Sequence, residues 1–287
     1  EHPAVLKVCA FLEKFGYEVS YLPVSSDGLV AIGDLEAALR PDTVLITIMH
    51  ANNEVGTVQP IAEIAALARS HGIRLHTDAA QSLGKIPVDV ASLGLDLLSL
   101  AGHKLYAPKG VGALFIRRGV ALEAFLHGAG QELGRRAGTE NILEIVGLGK
   151  ACELASRGLE ENRRHMQAMR DRLHAAIAAR VKEVRLNGHP EKRLPNTLSL
   201  SFRHVEANRI LEAIGLEVAA SAGAACHADS VEVSHVLRAM AVPVEWAKGT
   251  LRLTTGRMTT AAEIDRAAQV IVEAVEGMRK NAERRTE

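Results

Sequence analysis

Short apolar runs alternate with helical stripes over the first 117 residues, and this alternation restricts the fold more than any other feature of the chain. From His2 to Phe15, Val5, Leu6, Cys9, Leu12 and Phe15 form a helical stripe closed by Gly16, and Tyr17 to Leu22 then alternates as a strand. Leu35 to Leu39 reads as helix, Thr43 to Met49 as a buried strand, Ile61 to Ser70 as helix and Ile73 to Thr77 as strand. Leu95 to Leu100 and Val111 to Arg117 add two more apolar runs. Strands this apolar need cover on both faces, so the pattern predicts an α/β fold on a mainly parallel sheet.

The composition shifts between Leu126 and Thr139 to Gly and Arg, which predicts a long ordered loop. Helices over Ile142 to Arg157 and Glu160 to Ala179 follow. Beyond them, strands at Val184 to Leu186, Asn196 to Phe202, Val218 to Ser221 and Thr250 to Thr254 interleave with helices at Ala207 to Ile214, Glu232 to Met240 and Ala261 to Arg279. The expected organisation is a helix over 1–16, a ligand-binding large domain over 17–159 and a small α+β domain over 160–287. The chain opens at Glu1, without methionine and inside a helical stripe, so the large domain is expected to be N-terminally incomplete.

Several function classes fall away on composition. Lys plus Arg (34) equals Asp plus Glu (34), so no net field draws the whole chain to nucleic acid or to an acidic membrane. Aromatic residues at 3% leave little for base stacking. No apolar run approaches the ~20 residues of a membrane span, and the N-terminus lacks a secretory pattern, which points to the cytoplasm. Cys9, Cys152 and Cys226 are an odd number at unrelated spacings, reading as free thiols in a reducing compartment. His71, His76 and His103 share no ligand spacing, so no metal site is expected.

Chemistry concentrates just beyond the strands. Ile73 to Thr77 runs into Asp78-Ala79-Ala80-Gln81-Ser82, and Leu95 to Leu100 into Ala101-Gly102-His103-Lys104. Carboxyl ends of strands are where open α/β sheets bind ligands. A carboxylate there can hold a cationic ring nitrogen and a desolvated lysine can form a Schiff base, the pair that pyridoxal phosphate (PLP) requires. Asp78 before a small-residue run is equally an ordinary helix cap. Lys109 competes with Lys104 but stands in the turn signature Pro108-Lys109-Gly110. Met49-His50-Ala51-Asn52-Asn53-Glu54 ends a third strand, and its amides suit an Asx turn. Cys226 lies in a small-residue stretch, Ser221 to Asp229, read as a loop that exposes a nucleophile.

With these motifs in order, the chain resembles the cysteine desulfurase and selenocysteine lyase family, PLP enzymes of aminotransferase class V and transferase fold type I. The resemblance rests on Met49 to Gly56, His76 to Ser82, Gly102-His103-Lys104 and Arg135 to Asn141, in register from Glu1 to Thr260. It implies that Lys104 is the Schiff-base lysine, that Asp78 pairs with the pyridinium nitrogen, that Gln81 bonds the ring hydroxyl and that His2 stacks on the ring. It also implies His103 on the phosphate, Asn53 and Arg252 on the substrate carboxylate, and Cys226 as the thiolate that attacks the substrate sulfur. Thr139 would reach the cofactor phosphate of a partner subunit, which implies a homodimer. Ala101 stands where relatives place a phosphate-binding hydroxyl, and their Gly-Ala-Thr phosphate cup lies upstream of the stacking histidine.

The expected substrate is L-cysteine or L-selenocysteine, with alanine as product and a sulfur-acceptor protein as a further partner, as in iron–sulfur cluster assembly. The alternatives are a selenocysteine lyase and an inactive fragment that only dimerises or docks. A cofactor-free Schiff-base lyase would leave Asp78 and Arg252 without roles.

Overall fold

The computed structural model describes residues 1–227 and 230–284, with the side chains of 224–227, 230–232 and 283 outside the description. In chain order the elements are α1 (Pro3–Glu13), α2 (Ile32–Ala38), β1 (Leu45–Thr47), α3 (Ile61–Ser70), β2 (Arg74–Asp78), β3 (Leu97–Ala101) and β4 (Gly112–Ile116). Then come α4 (Gln131–Gly134), α5 (Ile142–Arg157), α6 (Leu159–Ala178), β5 (Val184–Leu186), β6 (Thr197–Phe202), α7 (Ala207–Ile214) and β7 (Ser221–Ala222). The chain finishes with β8 (Ala224–His227), β9 (Ser230–Val233), α8 (His235–Ala239), α9 (Val244–Ala247), β10 (Thr250–Thr254) and α10 (Ala261–Glu283). No helix among the described residues is long and apolar enough to cross a membrane.

The elements form two compact units. One holds Arg40–His50 and Pro60–Leu159. Its sheet has the order β1-β2-β3-β4, parallel from β1 to β3 and antiparallel at β4. Ile46, Leu75, Leu97 and Leu98 of the sheet and Ile61, Ile64 and Ala68 of α3 are buried, as the apolar runs require. A second apolar cluster sets Leu148 and Ala151 of α5 against Leu105.

The other unit holds Glu1–Leu39, Ala51–Gln59 and Glu160–Glu287. Its antiparallel sheet, β5-β6-β10-β7, packs with α6, α7 and α10 around Leu173, Ile177, Leu200, Phe202, Ile210, Leu251, Ile271 and Val275. A capping box between Thr260 and Glu263 starts α10. The units divide at Leu159 and Glu160, and segments 1–39 and 51–59 group with the C-terminal unit, where the sequence reading joins them to the large domain.

Three local expectations are corrected. Tyr17 to Leu22 alternates yet pairs with no described strand, and Tyr17 and Tyr21 stand exposed. The stretch Glu232 to Met240 is not one helix, because Ser234 caps α8 with its side chain accepting from Val236 N and Glu232 falls in β9. Cys226 lies on a hairpin strand rather than in a loop, its backbone paired in register with Val231. The β-branched Val231 and Val233 favour that extended partner. Inside the expected Gly/Arg loop, α4 is a single distorted turn with Glu132 (φ 50) and Leu133 (φ 58) left-handed.

Candidate active site

β2 and β3 run parallel, so their carboxyl ends emerge at one edge of the sheet. β2 ends at Asp78, paired in register with Ser99, and β3 ends at Ala101. A 3-10 turn, Gly102–Leu105, then carries His103 and Lys104. Adjacent strands are ~4.8 Å apart, which brings the carboxylate and the lysine turn to one short stretch of edge. Gly102 is required there, since a Cβ would meet Val111 O at 2.8 Å and Leu148 at 3.2 Å. Lys104 is partly buried, while His103 and Thr139 are exposed.

Asp78 Oδ1 accepts from Ala80 N at 2.8 Å, heading a turn closed by Ser82 N and Leu83 N on the Ala79 carbonyl. No helix follows, so Asp78 heads a turn rather than capping a helix, and the turn occupies one oxygen of the carboxylate. Gln81 sits partly buried within this turn. Below Asp78 on the same face of β2, Thr47 Oγ1 meets His76 Nδ1 at 2.8 Å and His76 Nε2 meets Ser99 Oγ at 2.8 Å, a chain across three strands. Burial lowers the His76 pKa, opposed by the charge of Asp78.

His50 donates its backbone N–H to the Asp78 carbonyl at 2.9 Å, and its Nδ1 lies 3.0 Å from Ser82 Oγ. The residue is 4% exposed, and burial pushes its pKa to about 4. The folded state then refuses a proton that the unfolded chain accepts below about pH 6.5, so stability is full above that pH and is lost as pH falls toward 4. Between pH 7.5 and 4.5 this one group should cost about 2.5 kcal/mol. Urea midpoints at the two pH values should fall further apart in the wild type than in His50→Gln. Equal gaps in both proteins would remove His50 as the cause.

In the other unit, Arg252 on β10 donates from Nη1 to the Asn53 carbonyl at 2.9 Å and from Nη2 to Ser221 Oγ at 3.1 Å. It lines a cavity of about 430 Å³ together with Asn53, Glu54, Ser199, Ser234 and His235. The buried Asn52 makes the expected Asx turn, its Oδ1 accepting from Glu54 N (2.8 Å) and Val55 N (2.9 Å). His2 caps α1, its Nδ1 accepting from Ala4 N at 3.1 Å. The Cys226 side chain lies outside the described residues.

Sequence reasoning gave no individual role to Ser221, Glu54 or Ser234, although Ser234 donates to the Glu54 carboxylate. Ser234 before an apolar helical run is a legible cap signal. The contact of Ser221 with Arg252, across 31 positions, has no local signature.

The donor set suits a phosphorylated pyridine aldehyde: a carboxylate for the ring nitrogen, an amine one strand away, and Gln81 in the turn between. No group of three or more His, Cys, Asp or Glu among the described residues could hold a metal ion.

Residues 1–267 match the family model of aminotransferase class V. A cysteine desulfurase IscS from Methanosarcina thermophila is 49% identical over 280 residues, covering 97% of this chain and 69% of that protein. Among solved structures, a NifS-like protein superposes with a TM-score of 0.89 at 35% identity, covering 96% of this chain and 73% of the other. A structure described as SspA in complex with cysteine gives 0.75 at 38% identity, over 91% and 72%.

Proposed function

Because the chain belongs to the aminotransferase class-V family and, within it, to the PLP-dependent cysteine desulfurases, we propose that it removes sulfur from L-cysteine as a persulfide on Cys226 and releases L-alanine. The observation that carries this reading is the placement of Asp78 and Lys104 at one edge of the sheet, on neighbouring parallel strands. The names of the relatives favour cysteine over selenocysteine as the substrate.

When bound, PLP supplies an electrophilic carbon for amines and a sink for negative charge at the substrate Cα. Asp78 would keep the ring nitrogen protonated, using the oxygen that Ala80 N does not occupy. Gln81 would bond the ring hydroxyl, His2 would stack on the ring, His103 would hold the phosphate, and Thr139 would reach the phosphate in a partner subunit. Lys104 would hold the cofactor through its amine and, as a free amine, would take the proton from the substrate Cα. Arg252 and Asn53 grip the substrate carboxylate; the Asn53 carbonyl and Ser221 hold the guanidinium, so its planar fork is preorganised.

Cys226 thiolate then attacks the substrate sulfur. An S–S bond forms as the Cβ–S bond breaks, and the electron pair returns to the carbon skeleton, which is reprotonated and leaves as alanine. The persulfide passes to an acceptor, a protein or small thiol of the cytoplasm.

A homodimer follows from Thr139, and the surface supports it. Phe125, Leu133 and Leu143, near Thr139 in sequence, are 87%, 89% and 86% exposed, and Ile142 and Val146 on α5 extend the apolar surface.

One preparation tests the reading. The purified chain with added PLP should elute as a dimer, yield a pyridoxyl adduct on Lys104 after borohydride reduction, and convert L-cysteine to L-alanine. Elution as a monomer removes the shared site, and an adduct elsewhere removes Lys104. Turnover of selenocysteine alone would make the protein a lyase.

A further inference from the structure

The strand that bears Cys226 is held at its base. β8 and β9 form a two-stranded sheet of their own, paired from His227 with Ser230 down to Ala224 with Val233. Below the last pair, Ser234 N donates to the Gly223 carbonyl at 3.0 Å, and Gly223 N donates to the Thr250 carbonyl at 2.7 Å, which joins the hairpin to β10 two residues before Arg252. Gly223 is needed for that approach, since a Cβ would meet the Thr250 side chain at 2.9 Å. The Ser234 hydroxyl is shared: it accepts from Val236 N at 3.1 Å, capping α8, and gives its own proton to the Glu54 carboxylate.

We propose, on the reading that Cys226 accepts the sulfur and Arg252 grips the substrate, that Glu54 is a positioning residue whose carboxylate latches the base of the Cys226 hairpin through Ser234. Residues 52–54 then serve two ends of one reaction. The Asn53 carbonyl takes Arg252 Nη1 at 2.9 Å and the next residue takes the hairpin, while the Asn52 side chain holds Glu54 N at 2.8 Å and keeps the two in fixed relation. Asn53, Glu54, Ser234 and Arg252 line the same cavity.

A two-stranded hairpin is marginal by itself in water, so the placement of β8 is set by what anchors its ends. A hydrogen bond to a carboxylate is roughly twice as strong as one between neutral groups, which makes Glu54 the stronger kind of anchor. Misplacing a reacting group by about 1 Å can cost on the order of 10²-fold in rate, so a latch outside the reacting atoms matters. Attack of the thiolate on the substrate sulfur feels that loss in full. Selenium leaves Cβ more readily, so turnover of L-selenocysteine depends less on where the hairpin stands.

Hydrogen/deuterium exchange on the full chain reads the latch without any turnover. Glu54→Ala removes the acceptor and leaves the α8 cap; Ser234→Asp keeps a cap and removes the donor; Glu54→Gln keeps an acceptor. Peptides within 223–234 should exchange at least about fivefold faster in Glu54→Ala and Ser234→Asp than in the wild type and Glu54→Gln, with α10 unchanged as the check that each variant is folded. With added PLP, the first two variants should lose at least about fivefold more turnover on L-cysteine than on L-selenocysteine. Wild-type exchange in Glu54→Ala overturns the proposal, as does a Gln variant as fast as the Ala variant, or an equal loss on both substrates. Absence of a persulfide on Cys226 in the wild type would instead strike the desulfurase reading, on which the exchange rates do not depend.

Discussion

Lys104→Ala should lower turnover of L-cysteine by about 10⁴-fold, the upper end of what a positioned general base contributes. The large figure follows from two roles in one side chain, covalent anchor and proton acceptor, with no second amine able to take both. Lys109 occupies an exposed turn closed by Gly110 at φ 96°, and Lys85 is tethered to the Gln81 carbonyl. Lys109→Ala should therefore leave kcat within about twofold, as expected for a surface change away from any special feature.

Lys104→Arg should be as inactive as Lys104→Ala, since a guanidinium stays protonated and cannot act as a neutral amine. Steady-state kinetics and pyridoxyl peptide mapping together check this. A Lys104→Ala protein that retained a tenth of wild-type turnover would move the chemistry to another residue.

The placement of Lys104 was readable because it needs only local information. Apolar runs mark strands, polar residues right after them mark strand ends, and parallel pairing puts those ends at one edge. The same local signal gave the bounds of α3, α5, β5, α7 and β10 as the structure has them. Where an outcome depends on a distant partner, the signal fails. The alternation of Tyr17 to Leu22 is that of a strand, but a strand exists only when an edge pairs with it. Periodicity likewise predicted β4 without its direction, which is antiparallel to β3.

The site divides along the same line. Asp78, Gln81, His103 and Lys104 lie within 27 positions of one another and follow two strands. The Arg252 clamp joins residues 199 apart, so its supports could not be read from either neighbourhood.

Cys226→Ser is the second large effect, and it separates two routes that share every other residue. On L-cysteine, turnover should fall by at least about 10²-fold, short of what losing the nucleophile costs a hydrolase acting through a catalytic triad. Serine is far weaker here because its hydroxyl is not ionised near neutral pH, whereas a thiol with its ordinary pKa of ~8.5 already supplies some thiolate. On L-selenocysteine the same variant should lose less than about tenfold, because selenium departs from Cβ more readily and needs less help from an attacking sulfur. Alanine formation on each substrate measures the two losses, and alkylation followed by peptide mapping locates the persulfide in the wild type. If Cys226→Ser kept full activity on L-cysteine, sulfur would leave without passing through this thiol, and Lys104, Asp78 and Arg252 would remain as the machinery of a lyase.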